Sequence, residues 1–338
     1  MSDLDQLLNT RGQSTEFGAF VTAACFAPAN GQPCFALGDG TLRLGADADF
    51  ITVAAHPGAV LSLCPHPQGG FLSGGDDGRL MRTAGNEAAE IQKFGSKWVE
   101  HVASFAGKTS YLAVAVGKTV HLFTGAGEKL RELAHPSTVT GIVFDAKGKR
   151  IAASHYNGAS LWFVASKSDH PRTLEWRGSH TAIALSPDGD SVVTAMQENA
   201  LHGWRLSDGQ HMRMSGYPAK TRALSFTRSG KWLATSGAEA VVLWPFTGGG
   251  PMGKTPTELG GADGTLCTAV ACHPQHEAVA AGFSDGVVLL ADIASGRLLP
   301  VMGPGRGPVS ALAWSPDGAR LAFGTESGFA AVVDFSKA

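Results

Sequence analysis

An all-β fold is what this sequence predicts, on three observations. A unit of about 40 residues recurs along the 338-residue chain, and units of that length bury their apolar faces only by stacking on one another. The recurrence is plain when residues 182–189, AIALSPDG, are set against residues 311–318, ALAWSPDG. Hairpin signals recur in phase with it at Asp39-Gly40, Asp77-Gly78, Asn157-Gly158 and Asp285-Gly286, residue pairs that accept positive φ at little cost. Composition agrees: 44 glycines and only 17% charged residues suit many short strands and tight turns rather than a coiled coil or a disordered chain.

Each unit opens on an apolar or alternating strand, at 21–26, 60–64, 99–105, 139–144, 181–185, 222–226, 267–272 and 309–314. A turn follows, marked by Pro28, Pro67, Lys108, Gly148, Pro187, Gly230, Pro274 and Pro316. The second strand is rich in Ala, Val, Leu and Ser, and the hairpin leads at once into a third strand. A more polar fourth strand fits at 51–55, 129–133, 172–176 and 297–302. Four strands per unit make a propeller blade, so the expectation is an eight-bladed β-propeller of four-stranded antiparallel blades. Seven is the alternative count if the weak third copy is part of a larger blade.

The last copy stops after its third strand at Ala338, which leaves one strand missing. An open edge invites association, so a segment within residues 7–20 is expected to pair with residues 330–335 and close the ring. Residues 1–20 then form the closing segment and residues 21–338 a single domain.

Charge and composition exclude several classes. A formal charge of −2 offers no electrostatic footprint for nucleic acid or an anionic membrane. The first residues lack the apolar core of a secretion signal, and no apolar run reaches the roughly 18 residues of a membrane span, so a cytoplasmic protein is expected. Five cysteines, an odd number set mostly within strand patterns, read as reduced and buried.

The chain resembles the WD-repeat β-propellers. The resemblance rests on the SPDG turns, the Asp-Gly hairpins, Trp162, Trp204 and Trp244 near the ends of third strands, and Asp292 and Asp334 where that family often has Asp. No copy holds the Trp-Asp pair itself, and the family's His before the first strand stands plainly only at His56 and His135. The resemblance implies a partial polar network of His56, Ser73 and Asp77, and a binding face made by the loops before each first strand and after each second strand.

Three motifs match chemistry that their setting contradicts. Residues 248–255, GGGPMGKT, fit a phosphate-binding loop, but Lys254-Thr255 must open a helix and Pro256 follows instead. Residues 282–286, GFSDG, fit a nucleophile elbow, yet Ser284 lies between two strands. Cys64, His66, Cys272, His273 and His276 are the metal-ligand candidates, but zinc needs three or four ligands around one point and copies two and seven are not ring neighbours. No metal or other cofactor is therefore expected. Asp3 with Asp5 and Asp47 with Asp49 lack the rest of a calcium loop and read as solvated turns.

What the repeat does not explain is an uneven rim. In copies three to six the binding-face positions hold Lys97, Trp98, Tyr156, Trp176, Arg177, Tyr217, Lys220 and Arg222, the aromatic and cationic types that dominate binding hot spots. Trp98, Trp176 and Tyr217 have a second reading, as wedges between blades. The function expected is a non-enzymatic scaffold for a protein or peptide partner, an acidic one by the charge of this half-rim. The alternative is a metal-handling or enzymatic propeller using His155 and the His/Cys clusters at the channel mouth.

Overall fold

A computed structural model describes residues 3–46, 49–168 and 170–336. Strands Val21–Phe26, Pro33–Leu37, Thr41–Ala46 and Asp49–Ala54 pair in chain order as one antiparallel sheet. Val60–Pro65, Phe71–Gly75, Arg79–Ala84 and Glu87–Lys93 form the next. His101–Phe105, Tyr111–Val116, Thr119–Thr124 and Lys129–Ala134 form the third. After a larger sheet that runs from Gly141–Phe144 to His211–Met214 come Leu224–Phe226, Trp232–Thr235, Val241–Pro245 and Thr257–Leu259. Cys267–Cys272, Ala278–Phe283, Val288–Asp292 and Leu298–Met302 follow, and the last three strands are Val309–Trp314, Arg320–Thr325 and Phe329–Asp334. The molecule is an all-β propeller of four-stranded antiparallel blades.

The described residues form seven hydrogen-bonded sheets, six of four strands and one of six, where eight separate sheets were expected. The difference has one cause. Strand Arg172–Leu185 runs for 14 residues, pairing with Arg150–Phe163 from Arg172 to Glu175 and, past an irregularity, at Ser179, and with Ser191–Met196 from His180 to Leu185. A fourth strand and the following first strand are thus one element, and two sets of pairings merge.

Gly12–Glu16 pairs antiparallel with Phe329–Asp334, from Gly12↔Val333 to Glu16↔Phe329. Asp5, read from the sequence as part of a solvated turn, instead accepts the Gly303 amide at 2.8 Å and Arg306 Nη1 at 3.1 Å. That carboxylate ties the chain start to the neighbouring sheet. Asp47 and Ala48 lie outside the described residues.

The turns form as their residues dictate. Asp39, Asp77 and Asp285 each accept the amide two residues on, at 3.0, 3.1 and 3.0 Å, while Gly40, Gly78 and Gly286 take φ of +87°, +76° and +99°. The core is spread over eight apolar clusters among the described residues rather than gathered at one centre, seven lying between sheets and one within the six-stranded sheet. Phe35, Phe71, Phe123, Phe283 and Phe323 are fully buried there, each burial worth about 1.5–3 kcal/mol. Inner strands are also laced together: Thr268 Oγ1 donates to the Val309 carbonyl and Ser310 Oγ to that of Val21, both at 2.6 Å. The frame that results holds its loops on rigid strand ends.

Candidate partner-binding groove

Tyr156, Trp176 and Arg177 converge at one end of the six-stranded sheet. Strand Arg150–Phe163 turns at Asn157 and Gly158, which take φ of +67° and +140°, so Tyr156 stands at the tip of the hairpin. The Tyr156 amide donates to Ser137 Oγ at 2.9 Å, and the Gly178 amide donates to Asn157 Oδ1 at 3.2 Å. A loop, a strand and a hairpin are thereby locked together, and the tyrosine remains 55% exposed.

Trp176 is fixed by stacking and remains partly exposed to the groove. Its ring stacks on His202 with centroids 3.8 Å apart and planes 12° from parallel, and its carbonyl lies 2.9 Å from His180 Nε2. His202 Nε2 in turn lies 2.9 Å from His211 Nδ1. Burial pushes His202 down to about 3, with His211 adding to the effect, so the stack is neutral near pH 7. The guanidinium of Arg177 is exposed and has no carboxylate partner among the described residues.

A groove of about 840 Å³ runs past Ser137, Tyr156, Asn157, Trp176 and Arg177. It continues toward Met196, Glu198 and Arg213. Glu175 and Glu198 line it together with Arg177 and Arg213, so its charge is mixed rather than purely basic. Ser137, His202, Glu198 and Arg213 were not singled out from the sequence; the strand register that brings them here is not encoded in local pattern.

The other expected rim residues sit elsewhere. Lys97 and Trp98 are exposed, Trp98 at 57%, in the loop before His101–Phe105, and line neither part of the groove. The Lys220 ammonium donates to Gln197 Oε1 at 2.6 Å. Arg222 lines the central channel among small residues such as Ala23, Ala269 and Ala311. Tyr217 corrects the expectation: it is only 8% exposed, with its hydroxyl 2.6 Å from both Thr235 Oγ1 and Trp244 Nε1, so it presents no surface to a partner.

The chemical candidates are occupied by structural bonds. Burial pushes the Cys64 and Cys272 thiols up to about 12, and the Cys272 thiol lies 3.2 Å from the Ser225 carbonyl. His66 Nδ1 accepts the Gln68 amide at 3.2 Å, and His273 Nδ1 accepts the amides of Gln275 and His276 at 3.1 and 3.0 Å, so these histidines cap their His-Pro turns. No group of three or more His, Cys, Asp or Glu side chains among the described residues could hold a metal ion. His155 is buried, its Nδ1 2.9 Å from the Tyr156 carbonyl and its Nε2 2.9 Å from Ser160 Oγ. Lys254 donates to the Thr247 carbonyl of its own loop, and the strand Thr257–Leu259 follows. Ser284 Oγ accepts the Leu266 amide at 2.9 Å within a strand-to-strand turn.

His56 bridges Asp77 Oδ1 and Ser73 Oγ, both at 3.0 Å, inside the stretch 50–81 that matches the family profile described as WD domain, G-beta repeat. The chain is 26% identical over 190 residues to the WD repeat-containing protein slp1 of Schizosaccharomyces pombe, covering 52% of this chain and 38% of that one. Autophagy-related protein 16 of Arabidopsis thaliana is 23% identical over 219 residues, 64% of this chain and 41% of its own. Telomerase protein component 1 of Mus musculus is 25% identical over 196 residues, 56% of this chain and 7% of its own. The chain thus spans well under half the length of each of these relatives. Among solved structures, the computationally designed Ika8 protein superposes with a TM-score of 0.74 at 20% identity, covering 94% of this chain and 97% of that one, a likeness of fold alone. No helix among the described residues is long and apolar enough to cross a membrane.

Proposed function

We propose, on the premise that the chain belongs to the WD-repeat β-propeller family, that it is a non-enzymatic scaffold holding a partner protein or peptide on one end of its ring. The observation that carries this is the groove in which Tyr156, Trp176 and Arg177 meet, two aromatic side chains and a guanidinium with no carboxylate partner among the described residues, held on rigid strand ends. The partner segment this suits lays an apolar side chain against the two rings and sets a carboxylate on Arg177. We take the cytoplasm as its compartment, since all five cysteines are free thiols.

We read the ring as eight repeats, with residues 21–338 as one domain and residues 1–20 as its closing segment. Two observations support the count. Arg150 Nη2 donates to the Gly189 carbonyl across the six-stranded sheet as Arg320 Nη2 donates to that of Gly31 between separate sheets, so the merged halves behave as neighbours. One of the eight apolar clusters also lies between those halves, joining Ala152, Leu161 and Leu174 to Val192 and Trp204.

Cross-linking of a captured partner, followed by affinity measurement on the cross-linked segment, tests the site. Tyr156→Ala and Arg177→Glu are each expected to weaken binding about tenfold or more, the scale of a hot-spot residue. Trp98→Ala is expected to bind as the wild type does. Equal affinity for all three variants and the wild type overturns the assignment.

A further inference from the structure

The opposite ends of the same strands carry a second groove. Phe105, Tyr111 and Phe163 line it together with Lys108, Lys147 and Lys149. Strand Arg150–Phe163 begins beside Lys149 and reaches Tyr156 six residues later, which puts the two grooves roughly 20 Å apart on opposite faces of the ring.

This groove is built rather than incidental. Phe163 is 58% exposed, and Phe105 and Tyr111 are half-buried, backed by Phe144 at ring-centroid distances of 6.3 and 6.4 Å. Gly148 takes φ of +63°, and a Cβ there would meet the Phe105 ring at 2.3 Å, so only glycine lets that ring lie on the turn. The wall at Ala165 and Ser166 is held from behind, where Arg131 donates to the Ser166 carbonyl and, at 2.7 Å, to that of Ser168. A groove ordered in advance loses little entropy when it is filled.

Its charge has one sign. Among the described residues no Asp or Glu lines it, and the carboxylate of Asp145, in the same turn, is taken up by Arg150 Nε at 2.8 Å and by the amides of Lys149 and Arg150 at 2.8 and 3.2 Å. Lys108, Lys147 and Lys149 are exposed and have no carboxylate partner among the described residues. One exposed and two half-buried aromatic rings beside ammonium groups that have no carboxylate partner among the described residues match an anionic segment with an apolar anchor.

We propose that this face is a second docking site, which takes an acidic peptide segment of a partner protein, seats one apolar side chain among Phe105, Tyr111 and Phe163, and sets carboxylates on Lys108, Lys147 and Lys149. The site stands independently of the first groove, and with both filled the ring holds two partners on opposite faces. Fluorescence anisotropy with a short labelled peptide, glutamates flanking a single leucine, reads it directly. The wild type is expected to bind saturably and more weakly as salt rises, and a lysine-flanked control peptide is expected not to bind. Lys147→Glu combined with Lys149→Glu should weaken binding at least about tenfold, as charge reversal at a complementary interface does. Phe163→Ser, an exposed position that leaves the fold intact, is the second variant and should weaken binding without moving the melting temperature. Arg177→Glu should leave this affinity unchanged. Absence of saturable binding to the wild type overturns the proposal, and so does a loss in the Arg177 variant with none in the lysine pair, which would put the peptide in the first groove.

Discussion

In the second unit His56 bridges Ser73 and Asp77, and in the sixth Tyr217 stands at the corresponding place before the inner strand, between Thr235 and Trp244. The two devices differ in chemistry. The first sets a neutral imidazole against a carboxylate whose side chain is 9% exposed. The second is an uncharged relay: Trp244 donates to the Tyr217 hydroxyl, and Thr235, which donates to the Val242 carbonyl at 3.2 Å, accepts from that hydroxyl. What the position requires is a flat side chain, long enough to cross between strands, with a donor and an acceptor at its tip. Charge is optional there.

Truncation separates the two devices most strongly. Tyr217→Ala removes a large buried ring and two hydrogen bonds at once, and is expected to cost about 3–5 kcal/mol in chemical denaturation. His56→Ala opens a smaller void but strands Asp77, and about 2–3 kcal/mol is expected. A smaller loss in Tyr217→Ala than in His56→Ala would mean that packing at this position matters less than the polar pairing.

The second separation is in pH. Burial, outweighing the Asp77 carboxylate, holds His56 below its ordinary value, so the unfolded chain takes up a proton first as pH falls. Stability from a lowered histidine is complete above about pH 6.5 and is lost as pH falls toward the folded value. The gap between wild type and His56→Ala should therefore narrow between pH 7 and 5, a gap measured by denaturant titration at each pH. Tyr217 behaves oppositely, since burial pushes its hydroxyl up to about 12. Its contribution is lost only above the ordinary tyrosine value of about 10, and the cost of Tyr217→Ala should be flat from pH 5 to 8. A pH-independent gap for His56→Ala would show that the folded imidazole takes up its proton as readily as the unfolded one.

This pair of units also shows what could be read in advance. Strand periodicity and turn chemistry are local, which is why 21–26, 267–272 and 309–314 are strands to the residue, whereas His56, Ser73 and Asp77 were legible as a set only through the family resemblance. Tyr217 was not, because a tyrosine in a loop position reads equally as a rim contact or a core wedge until burial is known. The same limit hid the merged strand Arg172–Leu185, in which Arg177 and Gly178 look like a loop and sit at the irregularity between two ladders, with Glu175 and Ser179 paired to one strand and His180 to the next. The groove residues Tyr156, Trp176 and Arg177 were readable by type and position, whereas Phe163, Lys147 and Lys149 on the far face were absorbed into the repeat as strand ends and turn. Residue type in a repeat reports the average unit, and departures such as the Phe105 ring lying on Gly148 arise from contacts between units.

The smallest and sharpest change makes the sixth unit resemble the fourth, where Trp162 Nε1 donates to His135 Nε2 at 3.2 Å. Tyr217→His puts an imidazole within the same kind of reach of Trp244 and is expected to cost only about 1 kcal/mol at pH 8, far less than alanine, because the Trp244 donor keeps an acceptor. It should also import a pH dependence that the wild-type position lacks. His135, buried and beside His155, lies down at about 4, so a histidine in the equivalent surroundings resists protonation in the folded state. The variant should then lose more stability than the wild type between pH 7 and 5, with the slope rising by up to about 1.4 kcal/mol per pH unit for the one added group. If the two curves remain parallel, the introduced ring has swung to solvent, and the position demands the reach of tyrosine rather than any donor-acceptor tip.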